Sequence, residues 1–517
     1  MSDDTAQSET TRFLSQPASY SGGVEAVQTI ETHASIVFLA GDRAFKLKRA
    51  VKYTYLDYST PDLRRRACEA EVALNRRTAP TLYLSATAIL RKPDGRLSFD
   101  GPGEPVDWVV VMRRFPQEAL FSHLAEQGAL TSELAFDLAS QIAAFHAIAE
   151  IDPRHGGAAG VAAVIQINDE NLRRAPPFGI SPPDIDRLRD ASRAALETHA
   201  ALLDRRRSTG RVRRCHGDLH LANICLVEGQ PTLFDCIEFS DLISCIDVLY
   251  DLAFLLMDLR QRRLVRQCAL VFNRYLDLTG DDDGLPALPL FMSLRAAVRA
   301  HVIATAAAGL ASDLRQERLV EARSYFELAV ALLAPKPPRL VAIGGLSGTG
   351  KSSVAAAIAG ELGIGAGARV LRSDVLRKRL FGNSPEERLP EEAYSSAVND
   401  KVYAVLEGRA ADLLTAGHSV VIDAVAAKPE ERAAMADLAR RAGAGFAGVW
   451  LQASEATLLA RLAKRGKDAS DATASVLRRQ LTYDLGTIDW TRVDADGPRG
   501  QVVDAVIKLV RADNGHS

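Results

Sequence analysis

Long apolar runs are missing from this sequence of 517 residues: none approaches the ~20 residues that would span a bilayer. The segment Met1–Thr11 is polar and acidic, without the apolar centre of a secretory leader. The expected compartment is the cytoplasm. Cys-x-x-Cys pairs are also missing. The six cysteines are Cys68, Cys215, Cys225, Cys236, Cys245 and Cys268, and this scatter fits buried thiols in a reducing compartment better than disulfides or zinc. Charge of one sign is lacking too, with 63 basic against 65 acidic residues and a formal net charge of -2. No global field therefore draws nucleic acid or anionic membrane. The runs Arg64–Arg66, Arg205–Arg207 and Arg211–Arg214 read as solvated faces. No groove of interleaved aromatic and basic residues suggests single-stranded nucleic acid, and repeats and low-complexity tracts are absent beyond alanine richness.

What is present is ordinary globular material, 47% hydrophobic and 25% charged, in a chain too long for one core. Residues 1–20 read as a tail. Ile36–Ala40, Gly41-Asp42 and Arg43–Leu47 predict a strand, a turn and a strand. A charged helix is expected from Pro61 to Arg77, then a strand at Trp108–Met112. Helical periodicity takes over at Leu120–Ala149, Asp184–Leu203 and Asp247–Leu333, with a break near Gly280–Pro289. Residues 21–333 thus predict a two-lobed α+β domain. Ala334-Pro335-Lys336-Pro337-Pro338 stops a helix and reads as a linker. Beyond it, in residues 339–517, strands at Leu340–Ile343, Val370–Leu371, Ser419–Ile422 and Phe446–Leu451 alternate with helical segments. That pattern predicts an α/β domain with a parallel sheet.

The sharpest motif is Gly345-Leu346-Ser347-Gly348-Thr349-Gly350-Lys351-Ser352, a complete phosphate-binding loop. It follows the strand Leu340–Ile343 and opens the helical run Ser353–Leu362. Gly345, Ser347, Gly348, Thr349, Gly350, Ser352 and Ser353 would line a phosphate cradle at a helix N-terminus. Lys351 would reach the β/γ-phosphates, and the Ser352 hydroxyl would ligate Mg²⁺. The next strand ends in Ser373-Asp374-x-x-Arg377. A strand C-terminus faces the ligand crevice, so Asp374 is a candidate general base, with a helix cap as its plainer reading. Arg377 would hold an anionic substrate group. Arg461 and Arg465 share a helix face and suit a lid that neutralises phosphoryl charge. Asp423 ends a further strand and would either hold Mg²⁺ through water or cap the next element. This half resembles the small P-loop kinases that include polynucleotide 5'-kinases, gluconate kinase, chloramphenicol phosphotransferase and zeta-type toxins. By that likeness Asp374 is the base, Arg377 a substrate contact and Arg465 a lid arginine.

A second cluster is His216-Gly217-Asp218-Leu219-His220-Leu221-Ala222-Asn223, followed by Leu233-Phe234-Asp235-Cys236-Ile237-Glu238. An Asp, an Asn five residues on, and an Asp closing an apolar strand is the layout of protein-kinase-type phosphotransfer. Asp218 would orient the acceptor hydroxyl, while Asn223 and Asp235 would hold Mg²⁺ through hard oxygens. His216 and His220 read as ties to the loop's backbone. This half resembles the aminoglycoside phosphotransferase and choline kinase family. The likeness implies that Lys46 grips the α/β-phosphates and that Glu69 pairs with it, with Lys48 and Glu71 as alternates. It also implies that Asp251 braces the catalytic loop. Two departures stand out: no glycine-rich loop lies at Thr32–Gly41, and the sole acidic block, Asp281-Asp282-Asp283, reads as a solvated loop. No antibiotic specificity is inferred.

The fusion as a whole resembles bacterial bifunctional aminoglycoside phosphotransferase/ATP-binding proteins. The expectation is two ATP- and Mg²⁺-dependent sites, each phosphorylating a hydroxyl of a small molecule. One alternative makes one domain a nucleotide-binding regulator of the other; another gives the C-terminal domain a nucleic-acid or other macromolecular acceptor. Acceptor choice would lie in 182–203, 284–301 and 381–394, where no code is legible.

Overall fold

The computed structural model describes residues 7–512 apart from 33, 54, 55, 364 and 465–468. The chain divides into two compact units. One comprises Met1–Leu130, Ala144–Val161 and Leu203–Leu255; the other comprises Thr131–Ala143, Ala162–Leu202 and Leu256–Ser517.

In the first unit, six strands form an antiparallel sheet: β1 Val27–Glu31, β2 Ser35–Ala40, β3 Arg43–Lys48, β4 Tyr83–Arg91, β5 Leu97–Ser98 and β6 Glu104–Arg113, ordered β1-β2-β3-β6-β4-β5. The expected hairpin is there: Ala40 pairs with Arg43, and Gly41 turns the chain at φ 60°. Side chains alternate across a strand. Phe45 and Leu47 therefore join Leu14, Phe38, Ile89 and Val109 in a core on one face. Lys46, paired with Val110, and Lys48 project to the other. That second face carries helix α1, Pro61–Asn75, whose Cys68 and Val72 pack with Tyr83 and Val110. Thr60 caps α1 by accepting from the Leu63 N–H at 3.3 Å.

The basic runs are not uniformly solvated. Arg64 is buried, with Nε 2.7 Å from Asp107 Oδ1. Arg206 is buried, with Nε 2.7 Å from Asp247 Oδ2. Arg213 Nη1 donates to the carbonyls of His146, Ala147 and Ala149. Arg64 and Arg206 are internal ties because buried aspartates, distant in sequence, claim them, and half-buried Arg213 ties the carbonyls that end a distant helix. All six cysteines are buried free thiols.

In the second unit, α2 Val265–Thr279, α3 Leu288–Ala307 and α4 Ser312–Leu333 precede a five-stranded parallel sheet. The span Asp282–Ala307 is long and apolar enough to cross a membrane, yet 78% of its apolar window is buried in the unit. The strands are β7 Arg339–Gly344, β8 Arg369–Arg372, β9 Val420–Asp423, β10 Gly445–Gln452 and β11 Thr491–Asp494, ordered β8-β9-β7-β10-β11. From β7 the chain runs to β8 and β9 on one side and then crosses to β10 and β11 on the other, so its direction across the sheet reverses beside β7. Ligand crevices of open α/β sheets form at such a point, and there the phosphate-binding loop leads into α5, Lys351–Ala359. The edge strand β11 is not legible in the sequence, since only Val493 of its four residues is buried.

The segment 334–338 is an extended connection inside this second unit and not its border. The reason lies in α2. Its Ala269 shares a core with Val341 and Val421 of the P-loop sheet and with Ile358 of α5. Asn273 accepts the Val370 N–H at 2.7 Å and donates to the Ala368 carbonyl at 3.1 Å, so it covers the open edge of β8. Arg369 is buried, donating to Asp282 at 2.6 Å and to Asp277 at 2.8 Å. Burial opposes its charge, but Asp282 and Asp277 hold its pKa above the ordinary value. Arg409 reaches the second Asp282 oxygen at 3.0 Å. Two acids of the block expected to be solvated are thus spent inside, Asp281 buried and Asp282 enclosed by arginines, while Asp283 is exposed.

Replacing Asn273 by Ala removes a partner from the Val370 N–H, from the Ala368 C=O and from the Arg369 guanidinium. The expected cost is about 1–3 kcal/mol. Arg369→Ala, which leaves buried carboxylates short of charge, is expected to cost about 3–5 kcal/mol. Denaturant unfolding of the full chain, followed by tryptophan fluorescence, checks both.

Candidate functional sites

Asp251 is fully buried and organises the loop that carries Asp218. Its carboxylate accepts the His216 N–H at 3.0 Å and the Gly217 N–H at 2.9 Å, and it lies 3.1 Å from His146 Nε2. His216 Nδ1 accepts the Asp218 N–H at 3.3 Å, so its Nε2 donates to the Phe234 carbonyl at 2.9 Å. Asn223 Nδ2 donates to both the Asp218 carbonyl at 2.9 Å and its Oδ2 at 2.7 Å. His220 does more than the expected backbone tie. Its Nδ1 accepts from the Ala222 N–H, and its Nε2 stands 3.3 Å from Asp218 Oδ2.

The hairpin Ile224–Val227 with Gln230–Leu233 carries the chain to Asp235. Asp235 has φ 64°, a conformation fixed from both sides. Its N–H donates to Tyr83 Oη at 3.1 Å, and the next N–H, of Cys236, donates to Asn75 Oδ1 at 2.8 Å. The carboxylate so aimed receives Lys46 Nζ at 2.6 Å, and Lys46 also donates to Glu71 Oε1 at 2.9 Å.

Glu71, not Glu69, is therefore the helix partner of Lys46. The buried positions of α1, Cys68, Glu71, Val72 and Asn75, follow the 3–4 spacing of one helix face. Glu69 falls off that face and pairs with exposed Arg65 at 3.1 Å. The spacing of Cys68 and Val72 is the sequence signal that favours Glu71. Lys48, the alternate lysine, contacts the other Glu71 oxygen and lies 2.5 Å from Glu238, which also accepts from Tyr58 Oη at 2.6 Å. Glu238 escaped the sequence reading. Burial works against both ammonium groups. Asp235 and Glu71 nonetheless hold Lys46 well above its ordinary pKa, as Glu238 and Glu71 do Lys48. Both lysines stay charged, but only Lys46 meets Asp235.

In the P-loop half a cleft of about 820 Å³ takes in Ser347, Gly348, Gly350, Lys351, Ser352 and Ser353. Gly345 has φ 136°, and a Cβ there would lie 2.5 Å from the Leu451 carbonyl, so the strand cannot turn into the loop with any other residue. Thr349 Oγ1 bonds the Leu346 carbonyl at 2.8 Å, as does Lys351 Nζ at 3.1 Å, and Gln480 accepts the Ser347 N–H at 2.8 Å. Asp374 lines the same cleft from the first turn of α6, Ser373–Leu380. It does not cap that helix, whose N-cap is Arg372. Burial raises the Asp374 pKa, with nearby Arg372 acting the other way. Asp423 also lines the cleft.

Arg377 borders the cleft, but both terminal nitrogens are committed: Nη1 to the Ala393 carbonyl at 2.8 Å and Nη2 to Asn399 at 2.7 Å, with Tyr394 stacked 4.9 Å away. It builds the wall rather than reaching across it. Arg461 lines the cleft and bonds the Gly497 carbonyl at 3.2 Å. Arg465 lies outside the described residues. Asp471, to which the sequence assigns no role, ties the facing segment. It accepts from Tyr394 Oη at 2.6 Å, the Leu389 N–H at 3.1 Å and Lys378 at 3.1 Å.

Residues 59–291 match the Phosphotransferase enzyme family, and residues 340–483 match an AAA domain. An uncharacterized protein of Mycobacterium tuberculosis is 32% identical over 495 residues, 93% of this chain and 95% of its own length. Among solved structures, a gluconokinase from Sinorhizobium meliloti is similar at 26% identity, over 35% of this chain and 96% of its own, with a TM-score of 0.25. A choline/ethanolamine kinase family protein from Mesorhizobium loti is similar at 14% identity, over 63% and 99%, with a TM-score of 0.38. The family matches and the nucleotide-binding motifs make the enzyme a kinase. The chain belongs to the family of this full-length mycobacterial relative, as a two-domain kinase with a phosphotransferase-family domain followed by a P-loop domain.

Proposed function

We propose that each domain transfers the γ-phosphate of ATP to a hydroxyl of a small molecule, with Mg²⁺ at both sites. The observation that carries this reading is the convergence of Lys46 and Asp235 at 2.6 Å beside an Asn223–Asp218 pair at 2.7 Å. Four groups from one strand and two loops meet there with the donor types that phosphoryl transfer needs. Asp235 and Asn223 offer the hard oxygens a magnesium ion takes. Bound there, the ion would neutralise phosphate charge. Lys46 would grip the α/β-phosphates, held in place by Glu71. Asp218 would accept the acceptor's hydroxyl proton as its oxygen attacks phosphorus and the bond to ADP breaks.

In the P-loop domain, backbone N–H groups and Lys351 would hold the phosphates, Ser352 would ligate the ion, and Asp374 would take the proton. Arg461 and Arg465 would neutralise the transferred group, and Arg377 would shape the acceptor's pocket. On composition, we place the acceptors among small molecules rather than nucleic acids and the protein in the cytoplasm. One observation favours a regulatory link as a second reading: Asn273, inside the phosphotransferase-family segment, bonds the strand that leads to Asp374.

ATP consumption by the full chain, screened over sugars, amino sugars and nucleosides, separates the sites. Lys351→Ala should abolish the P-loop share, and Asp218→Asn should cut the other by roughly 10²- to 10⁴-fold with nucleotide still bound. Full turnover by Asp218→Asn on an acceptor that Lys351→Ala leaves untouched would overturn the first-domain assignment.

Glu71→Gln should weaken ATP use far more than Glu69→Gln, as measured by kcat/KM for ATP.

The pKa of Asp374 is raised, so its active, ionised form is lost at higher pH than for an ordinary carboxylate near 3.9. The acid limb of the P-loop kcat profile should sit above that value, and an acid limb at or below it would remove Asp374 as the base.

A further inference from the structure

Arg372 ends β8, directly before the helix of Asp374. Its side chain is 19% exposed, and its guanidinium spans two oxygens of the P-loop cleft. Nη2 donates to Ser352 Oγ at 3.1 Å and Nε to Asp423 Oδ2 at 3.3 Å. The spacing follows from the sheet: β9 lies between β8 and β7, with Arg372 opposite Asp423 and Ile343 opposite Asp423 on the other side. Asp423 at the middle strand's end therefore stands between the arginine and the start of the phosphate-binding loop. A hydroxyl and a carboxylate at this place are what a hard divalent ion would take. A planar monovalent cation already holds both.

A divalent ion taken by Ser352 and Asp423 would stand a few ångströms from the guanidinium, and like charges that close in a partly dry cleft repel strongly. We propose that Arg372 is a positioning residue that acts as a resident counter-cation. It holds Ser352 and Asp423 through one guanidinium before nucleotide arrives and bars a lone divalent ion. It yields only when the ion arrives with the negative charge of a nucleotide's phosphates. Metal binding at this site is then conditional on nucleotide. The inference rests on the reading of Ser352 as the ion's ligand in the P-loop domain.

The test is Mn²⁺ binding to the full chain without nucleotide, read from the EPR signal of free Mn²⁺. Wild type and Asp423→Asn should bind equally. Arg372→Gln should gain one Mn²⁺ per chain, with affinity at that site roughly tenfold or more above wild type. The gain should vanish in Arg372→Gln/Asp423→Asn. Circular dichroism establishes that each variant is folded. If folded Arg372→Gln binds Mn²⁺ as wild type does, or if Asp423→Asn alone loses an ion that wild type holds, the counter-cation role is overturned. The conservative Arg372→Lys, which keeps the charge, should bind Mn²⁺ as wild type does, and a gain of an ion there equal to that of Arg372→Gln would also overturn the role. Because no nucleotide is present, this outcome is separate from ATP consumption by Lys351→Ala, on which the P-loop phosphotransfer reading stands or falls.

Discussion

Glu71 is the constraint on which the first site is built. It is a fully buried carboxylate with a lysine on each oxygen, and neither charge is tolerable there without the other. The sheet's alternation delivers Lys46 and Lys48 to the same face, and the apolar stripe of α1 delivers Glu71 against them. What separates the lysines is the far end of each. Lys48 is closed off by Glu238, whereas Lys46 opens onto Asp235, whose own position is set by backbone bonds to Tyr83 and Asn75. A single buried acid thus fixes which lysine faces the site and at what distance from the candidate magnesium ligand.

The parts legible in the sequence are those whose physics is local. The glycine-rich loop between strand and helix is one, since the turn itself demands Gly345. The His216–Asn223 loop is another, and so is the β2–β3 hairpin around Gly41. The illegible parts depend on partners remote in the chain. Glu69 and Glu71 differ only in helical phase, for which the charged sequence of α1 offers little beyond Cys68 and Val72. Asp282 looks like a loop acid until Arg369, 87 residues on, is packed beside it. The same holds for Arg64 and Asp107, 43 residues apart, and for Asp471 with Tyr394 and Lys378. Spacing along the chain reports chemistry within one element. It does not report which charges are drawn indoors.

The packing of α2 against the P-loop sheet belongs to that second class and changes what a domain means in this chain. By motif, residues 265–279 belong with the phosphotransferase family. By packing, they complete the P-loop core through Ala269 and close its edge strand through Asn273. An open β edge invites pairing with other chains, so a strand covered in this way cannot easily be parted from its cover. The ion pairs of Arg369 with Asp277 and Asp282 add directionality, because they hold only if the helix and the strand keep one register.

The two sites meet the same electrostatic problem in the same way. If both take Mg²⁺ as proposed, each must keep oxygens ready for the ion before it arrives, and carboxylates left bare in a partly dry cleft would rearrange or take up protons. In each, a cation of the chain stands on them: Lys46 on Asp235, and Arg372 on Asp423 and Ser352. On the proposed reading, loading either site would exchange one charge for another, so metal and nucleotide would favour each other's entry. Lys46 would serve the incoming phosphates from where it stands. Arg372, which holds Ser352 Oγ and one Asp423 oxygen, would have to give way to an ion taken by those atoms. The second site would then carry the stricter requirement that the metal enter with its phosphate.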